Sequence, residues 1–227
     1  EDYCLAEIIE DIEIYKKNKK KIVFYEIGAN VGYSTIFAAK LLENIGTVCA
    51  FEIEPANFKS LNDNIIINKI KNCNLVNIGI SNINRIQKFY YNTKFKNNRF
   101  NLPVSSMGMH SMKFNHNIHK EHIFGNFVFM KYDFLIKNLE LDYPTHIFID
   151  AYGAEYEIID SILSSSRKEM LPKKIMVDIE ESKITRLEDS KIFKKLNQNN
   201  YKLKKYTFEK GSKEVPNSFK TVFESVL

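Results

Sequence analysis

Cysteine is scarce: Cys4, Cys49 and Cys73 are the only three in 227 residues. Their odd number, wide spacing and lack of any Cys-x-x-Cys pair argue against a disulfide framework and a zinc knuckle, and fit a reducing cytoplasm. No apolar run approaches the roughly 18 residues that a membrane-spanning helix needs. The start, Glu1–Glu13, is acidic where a secretory signal is basic and then apolar. A soluble, cytoplasmic protein is expected. Glycine, at 8, and proline, at 5, are few, and with abundant Asn and Lys they read as compositional bias without functional content. Charge of one sign is not in large excess either: the net +5 comes largely from Lys16–Lys21 and the C-terminal third. It reads as a solvated basic face rather than a nucleic-acid groove.

What is present suits one sizeable α/β domain: the length is too short for two comfortable ones, and 44% of residues are hydrophobic. Residues 1–20 read as an amphipathic helical cap, with Leu5, Ile8, Ile9 and Ile12 at helical spacing. The remainder, 21–227, alternates strands and helices. Strands are expected over Lys21–Ile27, Thr47–Ile53, Asn74–Ile80, Ile86–Asn92, Phe127–Tyr132, His146–Ile149 and Lys174–Ile179. Helices are expected over Tyr33–Leu42, from Pro55, over Asp133–Leu139, Ala154–Leu163 and Thr185–Asn197. Tyr33, Ile36, Phe37 and Leu41 form the apolar face of the first of these, and Phe58, Leu61 and Ile65 that of the second. Residues 93–126, polar and weakly periodic, read as a loop inserted over the active-site edge. Tyr201–Phe208 and Ser218–Val226, around a turn at Lys210–Asn217, read as an antiparallel pair. The pattern is that of a doubly wound, mostly parallel sheet with an antiparallel C-terminal edge.

The segment Glu26-Ile-Gly28-Ala-Asn30-Val-Gly32 lies where the first strand turns into the first helix, beside the crevice that a doubly wound sheet leaves at its carboxyl edge. Gly28 and Gly32 permit tight backbone conformations and close approach of a ligand. A dinucleotide site wants Gly-x-Gly-x-x-Gly and a bare helix start facing pyrophosphate. Here the spacing differs and Glu26 precedes the first glycine, an arrangement that repels pyrophosphate and suits a cationic ligand such as S-adenosylmethionine, with its ammonium and sulfonium. Glu52, closing the second strand, can accept hydrogen bonds from both ribose hydroxyls, with Glu54 in reserve.

These residues resemble the FkbM family of S-adenosylmethionine-dependent methyltransferases from near Val23 to Phe223. The resemblance rests on ordered blocks: Glu26 to Ser34; Ala50-Phe-Glu-Ile-Glu-Pro55-Ala-Asn57-Phe with Leu61, Asn64 and Asn68; Asn77-Ile-Gly-Ile-Ser81; and Phe148-Ile-Asp150-Ala-Tyr-Gly153-Ala-Glu155. Tyr152 departs from the pattern, standing where the family often has Glu. The resemblance implies a Rossmann-like methyltransferase sheet and cofactor contacts at Glu26, Gly28, Asn30, Gly32, Tyr33, Ser34 and Glu52. It also implies O-methylation of a hydroxyl on a sugar, glycan or small natural product.

A hydroxyl is a poor nucleophile at neutral pH, so a general base is expected. Asp150, ending a strand on the same edge as Glu26, is the first candidate; it could equally cap the helix that follows. His110, in the polar loop, and Glu180, beyond Asp178, are the others, and Glu155 reads as structural. His116, His119 and His122 do not share one ligand-competent helical face, so no metal is expected. Met107, Met109 and Met112 read as loop packing. An inactive cofactor-binding module of this fold and a nucleic-acid methyltransferase remain alternatives. The chain lacks an Asn-Pro-Pro-Tyr-like motif and any aromatic-basic interleaving along a strand.

Overall fold

A computed structural model describes residues 2–91, 123–151, 153–179, 184–211 and 217–226. The first strand, β1 (Ile22–Ile27), is buried at every position, as a central parallel strand covered on both faces must be. It pairs in parallel with β2 (Gly46–Phe51) on one side and β7 (His146–Ile149) on the other. With β3 (Cys73–Val76), β8 (Lys174–Ile179), β9 (Tyr201–Glu209) and β10 (Ser218–Ser225) they form a seven-stranded sheet in the order β3-β2-β1-β7-β8-β10-β9. Only β10 runs antiparallel to both its neighbours, which makes the expected C-terminal pair. The chain leaves β1 for β2 on one side and returns through β7 on the other, so the sheet reverses direction beside β1.

Alternation along each strand divides the core. Tyr25, Ile27, Ile147, Ile149, Ile175 and Val177 pack against α4 (Tyr132–Asn138), α5 (Glu155–Leu163) and α6 (Lys191–Gln198). Ile22, Phe24, Val48, Phe148, Met176 and Val222 pack against α1 (Asp2–Lys17) and α2 (Tyr33–Leu41). Helix α3 (Pro55–Ile67) buries Leu61 and Ile65 on Ala29 and Ala50. It starts as Pro55 suggested: the Glu54 carboxylate caps it, accepting from the Asn57 N–H at 2.6 Å. Among the described residues no helix is long and apolar enough to cross a membrane.

Several elements differ from the sequence reading. In α2 the buried residues are Ser34, Thr35, Ala38 and Ala39, whereas Tyr33 and Phe37 face outward at 54% and 48% exposure. Small side chains let this helix sit close to the sheet, and the two hydroxyls are needed beneath its first turn. In α1, Ile8 is buried and Leu5 and Ile12 pack beside it, but Ile9 is exposed. The strand expected over Asn74–Ile80 divides, because the Asn77 side chain donates to the carbonyls of Glu52 and Ile53 at 2.7 and 3.2 Å and turns the chain. Its second part, β4 (Gly79–Ile80), joins β5 (Arg85–Tyr91) and β6 (Ile123–Met130) in a separate sheet ordered β4-β6-β5. Ile123–Asn126, read as the end of the polar loop, therefore belong to a strand, and residues 93–122 lie outside the described residues. The helix expected from Thr185 is a short 3-10 turn, Leu187–Asp189, followed by α6, whose cap Ser190 accepts from the N–H groups of Ile192 and Phe193.

Helix α1 is tied to the sheet by buried charge. Lys174 reaches Glu7 and Asp11, each at 3.0 Å. Lys204 and Lys205 of β9 also meet Glu7, at 2.9 and 2.5 Å. His146 bonds Asp11 at 2.9 Å through Nε2. Burial pushes both acids up, but the surrounding lysines, with His146 for Asp11, outweigh it and hold each at about 2.

Candidate functional site

The turn after β1 has left-handed backbone at three of five consecutive residues: φ is 92° at Gly28, 52° at Asn30 and 89° at Gly32. The N–H groups of Gly28 and Ala29 both donate to the Phe51 carbonyl, at 2.9 and 3.0 Å, folding the turn across the end of β2. The protein's own packing also favours glycine at both positions. A Cβ on Gly28 would stand 1.9 Å from the Asp150 carbonyl oxygen, and one on Gly32 2.4 Å from Leu61 Cδ1. Helix α2 then begins without a side-chain cap, so its first N–H groups carry the positive end of the helix dipole.

The two acids take different places around this turn. Glu26 is 2% exposed, and its two carboxylate oxygens accept the hydroxyls of Ser34 and Thr35 respectively. Its charge lies under the first turn of α2, where it complements the dipole. Ser34, expected to touch a ligand, spends its hydroxyl proton on Glu26. Glu52 borders the other side. Its Oε2 accepts the Asn30 N–H at 2.8 Å and its Oε1 the Glu54 N–H at 2.7 Å. Each oxygen of an ionised carboxylate can accept more than one bond. Burial pushes Glu52 up to about 7, against the pull of the Glu54 and Asn30 amides. Beside it, the Asn30 side-chain oxygen is buried and has no hydrogen-bond partner among the described residues. Tyr33, half exposed in the first turn of α2, lies tilted against Phe37, ring centroids 5.0 Å apart at 53°.

Asp150 follows β7 directly beside the turn: its N–H donates to the Ile27 carbonyl at 3.0 Å and its own carbonyl faces Gly28. The residue at the cap of α5 is Ala154 rather than Asp150, and Glu155, nearly fully buried, accepts the Gly153 N–H at 2.9 Å with both oxygens. Glu155 thus organises the helix start. Asp178, on the neighbouring strand, accepts the Ser218 hydroxyl through Oδ1. His110, Glu180, Tyr152, His116, His119, His122 and the methionines of the loop lie outside the described residues. The structure therefore brings together Glu26, Gly28, Asn30, Gly32, Tyr33, Ser34, Glu52 and Asp150. Thr35 was missed by the sequence reading, its only signal being a second hydroxyl beside Ser34. Among the described residues no group of three His, Cys, Asp or Glu side chains could hold a metal ion.

A family described as "Methyltransferase FkbM domain" matches residues 26–203. Among curated protein sequences none matches at a significant level. Solved structures are similar in fold. One is the methyltransferase FkbM of Methylobacillus flagellatus KT, with 13% identity over 89% of this chain, 43% of that chain and a TM-score of 0.52. Another is M. capricolum TrmK in complex with its cofactor product S-adenosyl-homocysteine, at 10% identity, 91% and 63% coverage and a TM-score of 0.51. A putative rRNA-methylase from Clostridium thermocellum covers 98% of this chain and 97% of its own, at 11% identity and a TM-score of 0.51. The chain spans less than half of the Methylobacillus protein.

Proposed function

The chain belongs to the FkbM methyltransferase family, and from that premise we propose that it transfers a methyl group from S-adenosylmethionine to a hydroxyl of a sugar, glycan or small natural product. The observation that carries the donor is the pairing of Asn30 and Glu52: a buried oxygen with no partner among the described residues beside a buried carboxylate with accepting capacity left. Both can accept further donors. S-adenosylmethionine brings an ammonium group and two ribose hydroxyls, so the residues fit it, and two acids at the turn oppose a pyrophosphate. Glu52 and Asn30 would hold the ribose and aminoacyl parts, with Gly28, Gly32, Tyr33 and Ser34 shaping the walls and Glu26 fixing the helix start.

When bound, the cofactor supplies an electrophilic methyl group on a sulfonium sulfur. The protein's share is alignment and proton transfer. The reversal of the sheet between β1 and β7 puts Asp150 on the same carboxyl edge as the turn, and this supports a base next to the acceptor oxygen. As that oxygen gains the methyl group, its proton passes to the Asp150 carboxylate. Alignment of this kind is worth up to about 7–11 kcal/mol, and a general base adds about a hundredfold to ten-thousandfold. The test is incubation with methyl-labelled S-adenosylmethionine and fractionated cell-surface glycans. Label is expected on a sugar hydroxyl, with Asp150→Asn slowing it by about a hundredfold or more. Label found only in nucleic acid, or none in any fraction, overturns the acceptor class.

A further inference from the structure

The Tyr3 hydroxyl, at the start of α1, is buried and has no hydrogen-bond partner among the described residues. Its ring stands edge-on to Phe148, centroids 5.7 Å apart. Phe148 packs among the residues of α1, and Asp150 lies two residues on, just beyond the end of β7. The pairing of β7 with β8 ends at Ile149↔Val177, and Asp150 and Asp178 are the next residue of each chain segment. The charges of both Asp178 and Asp150 reach the Tyr3 phenol, at the carboxyl edge that the turn and Glu52 also occupy. Lys220 lies opposite Asp178 in β10 and pairs with Glu209 at 2.6 Å. The Ser218 hydroxyl holds Asp178 through Oδ1.

A phenol that can donate and a carboxylate that can only accept make the complement of one kind of group: a hydroxyl, which does both. An ether or ketone leaves the carboxylate unmatched, and a buried polar group left unmatched is what gives such sites their selectivity. We propose that Tyr3 and Asp178 bind the hydroxyl neighbouring the one that is methylated, so that the acceptor is a vicinal diol of a sugar ring with one oxygen at Asp150 and the next at Tyr3. This rests on the methyl-transfer reading above. Burial first, and then the charge of Asp178, keep the phenol well above its usual range and so a donor at neutral pH. Tyr3 is a substrate-binding residue in this arrangement, with no part in proton transfer.

The experiment compares wild type with Tyr3→Phe on a panel of methyl hexosides and methyl deoxyhexosides, using methyl-labelled S-adenosylmethionine. For the best glycoside, Tyr3→Phe is expected to raise KM about tenfold, the worth of one hydrogen bond, with kcat within about threefold and affinity for S-adenosylhomocysteine unchanged. The analogue lacking the neighbouring hydroxyl should be poor for wild type and no worse for the variant. An unchanged KM, or discrimination that survives in the variant, overturns the role of Tyr3 while leaving methyl transfer intact. Wild type that methylates none of the glycosides but does methylate another acceptor overturns both. A ligand-free readout accompanies these: Tyr3→Phe should keep or raise the melting temperature, since it removes a buried hydroxyl without a partner among the described residues. A clear fall would mean that the hydroxyl is spent inside the fold, and the proposal would be withdrawn.

Discussion

At the scale of single residues, the site is distinguished by the unequal fates of its acids. Glu26 has spent both oxygens on Ser34 and Thr35, whereas Glu52, lifted to about 7 by burial, accepts only backbone amides among the described residues, those of Asn30, Glu54 and Ile53. A carboxyl that holds its proton longer in the folded state than in the unfolded chain contributes stability below about pH 4.5. That contribution is lost as the pH rises through about 7. Ribose hydroxyls donating to the ionised form reverse this preference, so cofactor affinity at Glu52 should improve as the pH rises from 6 to 8. Glu52→Gln is expected to weaken S-adenosylmethionine binding about tenfold to a hundredfold, the range for hydrogen bonds to a charged group, and to flatten that part of the pH dependence. Asp150→Asn should leave affinity within about twofold and act on turnover. Calorimetric titration of both variants at three pH values decides it; equal losses of affinity in the two would remove the division of labour between them.

At the scale of elements, α1 shows what a sequence reading of periodicity can and cannot carry. Its helical spacing was legible, as were β7 and β8 to the residue, because short apolar runs bounded by polar residues leave little choice. The inward face was less so. Hydrophobicity alone puts Tyr33 and Phe37 inside α2, but the close seat of that helix and the needs of Glu26 select Ser34, Thr35, Ala38 and Ala39. The pairing of β5 with β6, Arg85 opposite Phe129, joins residues too far apart in the chain for any local pattern to announce. Nor does local pattern show Glu7, on a helix full of acids, buried against lysines from β8 and β9. That network makes a prediction of its own. Lys174→Met leaves Asp11 and Glu7 short of a buried partner and should cost about 3–5 kcal/mol in urea unfolding. Because Glu7 and Asp11 are held at about 2, their stabilisation is complete above about pH 4.5 and is lost as the pH falls through about 2. The wild-type stability should decline steeply over that window, and the variant's less so. A loss below about 1 kcal/mol would show the charges to be screened.

At the scale of the whole molecule, a sheet covered on both faces leaves its carboxyl edge as the place where a ligand can meet several strands at once. The turn after β1, Glu52 after β2, Asp150 after β7 and Asp178 in β8 all converge there, and the order of the seven strands brings them together from across the chain. The sequence motifs near Glu26, Glu52 and Asp150 were legible because each is a local strand-to-helix passage. Tyr3 was not, since nothing near it in the chain marks a burial that only α1's seat on the sheet creates. A ligand that binds this edge and not the unfolded chain must raise the melting temperature by mass action. At a hundred times its dissociation constant the gain is about 2.7 kcal/mol. For a protein of this size each kcal/mol is worth about 2–4 °C, so S-adenosylmethionine should shift the transition by roughly 5–10 °C. NAD brings a pyrophosphate to a turn flanked by Glu26 and Glu52 and lacking the dinucleotide glycine spacing, and should shift it by less than about 1 °C. Equal shifts from the two would mean that the acids do not choose the ligand, and the assignment of the donor would fall with them.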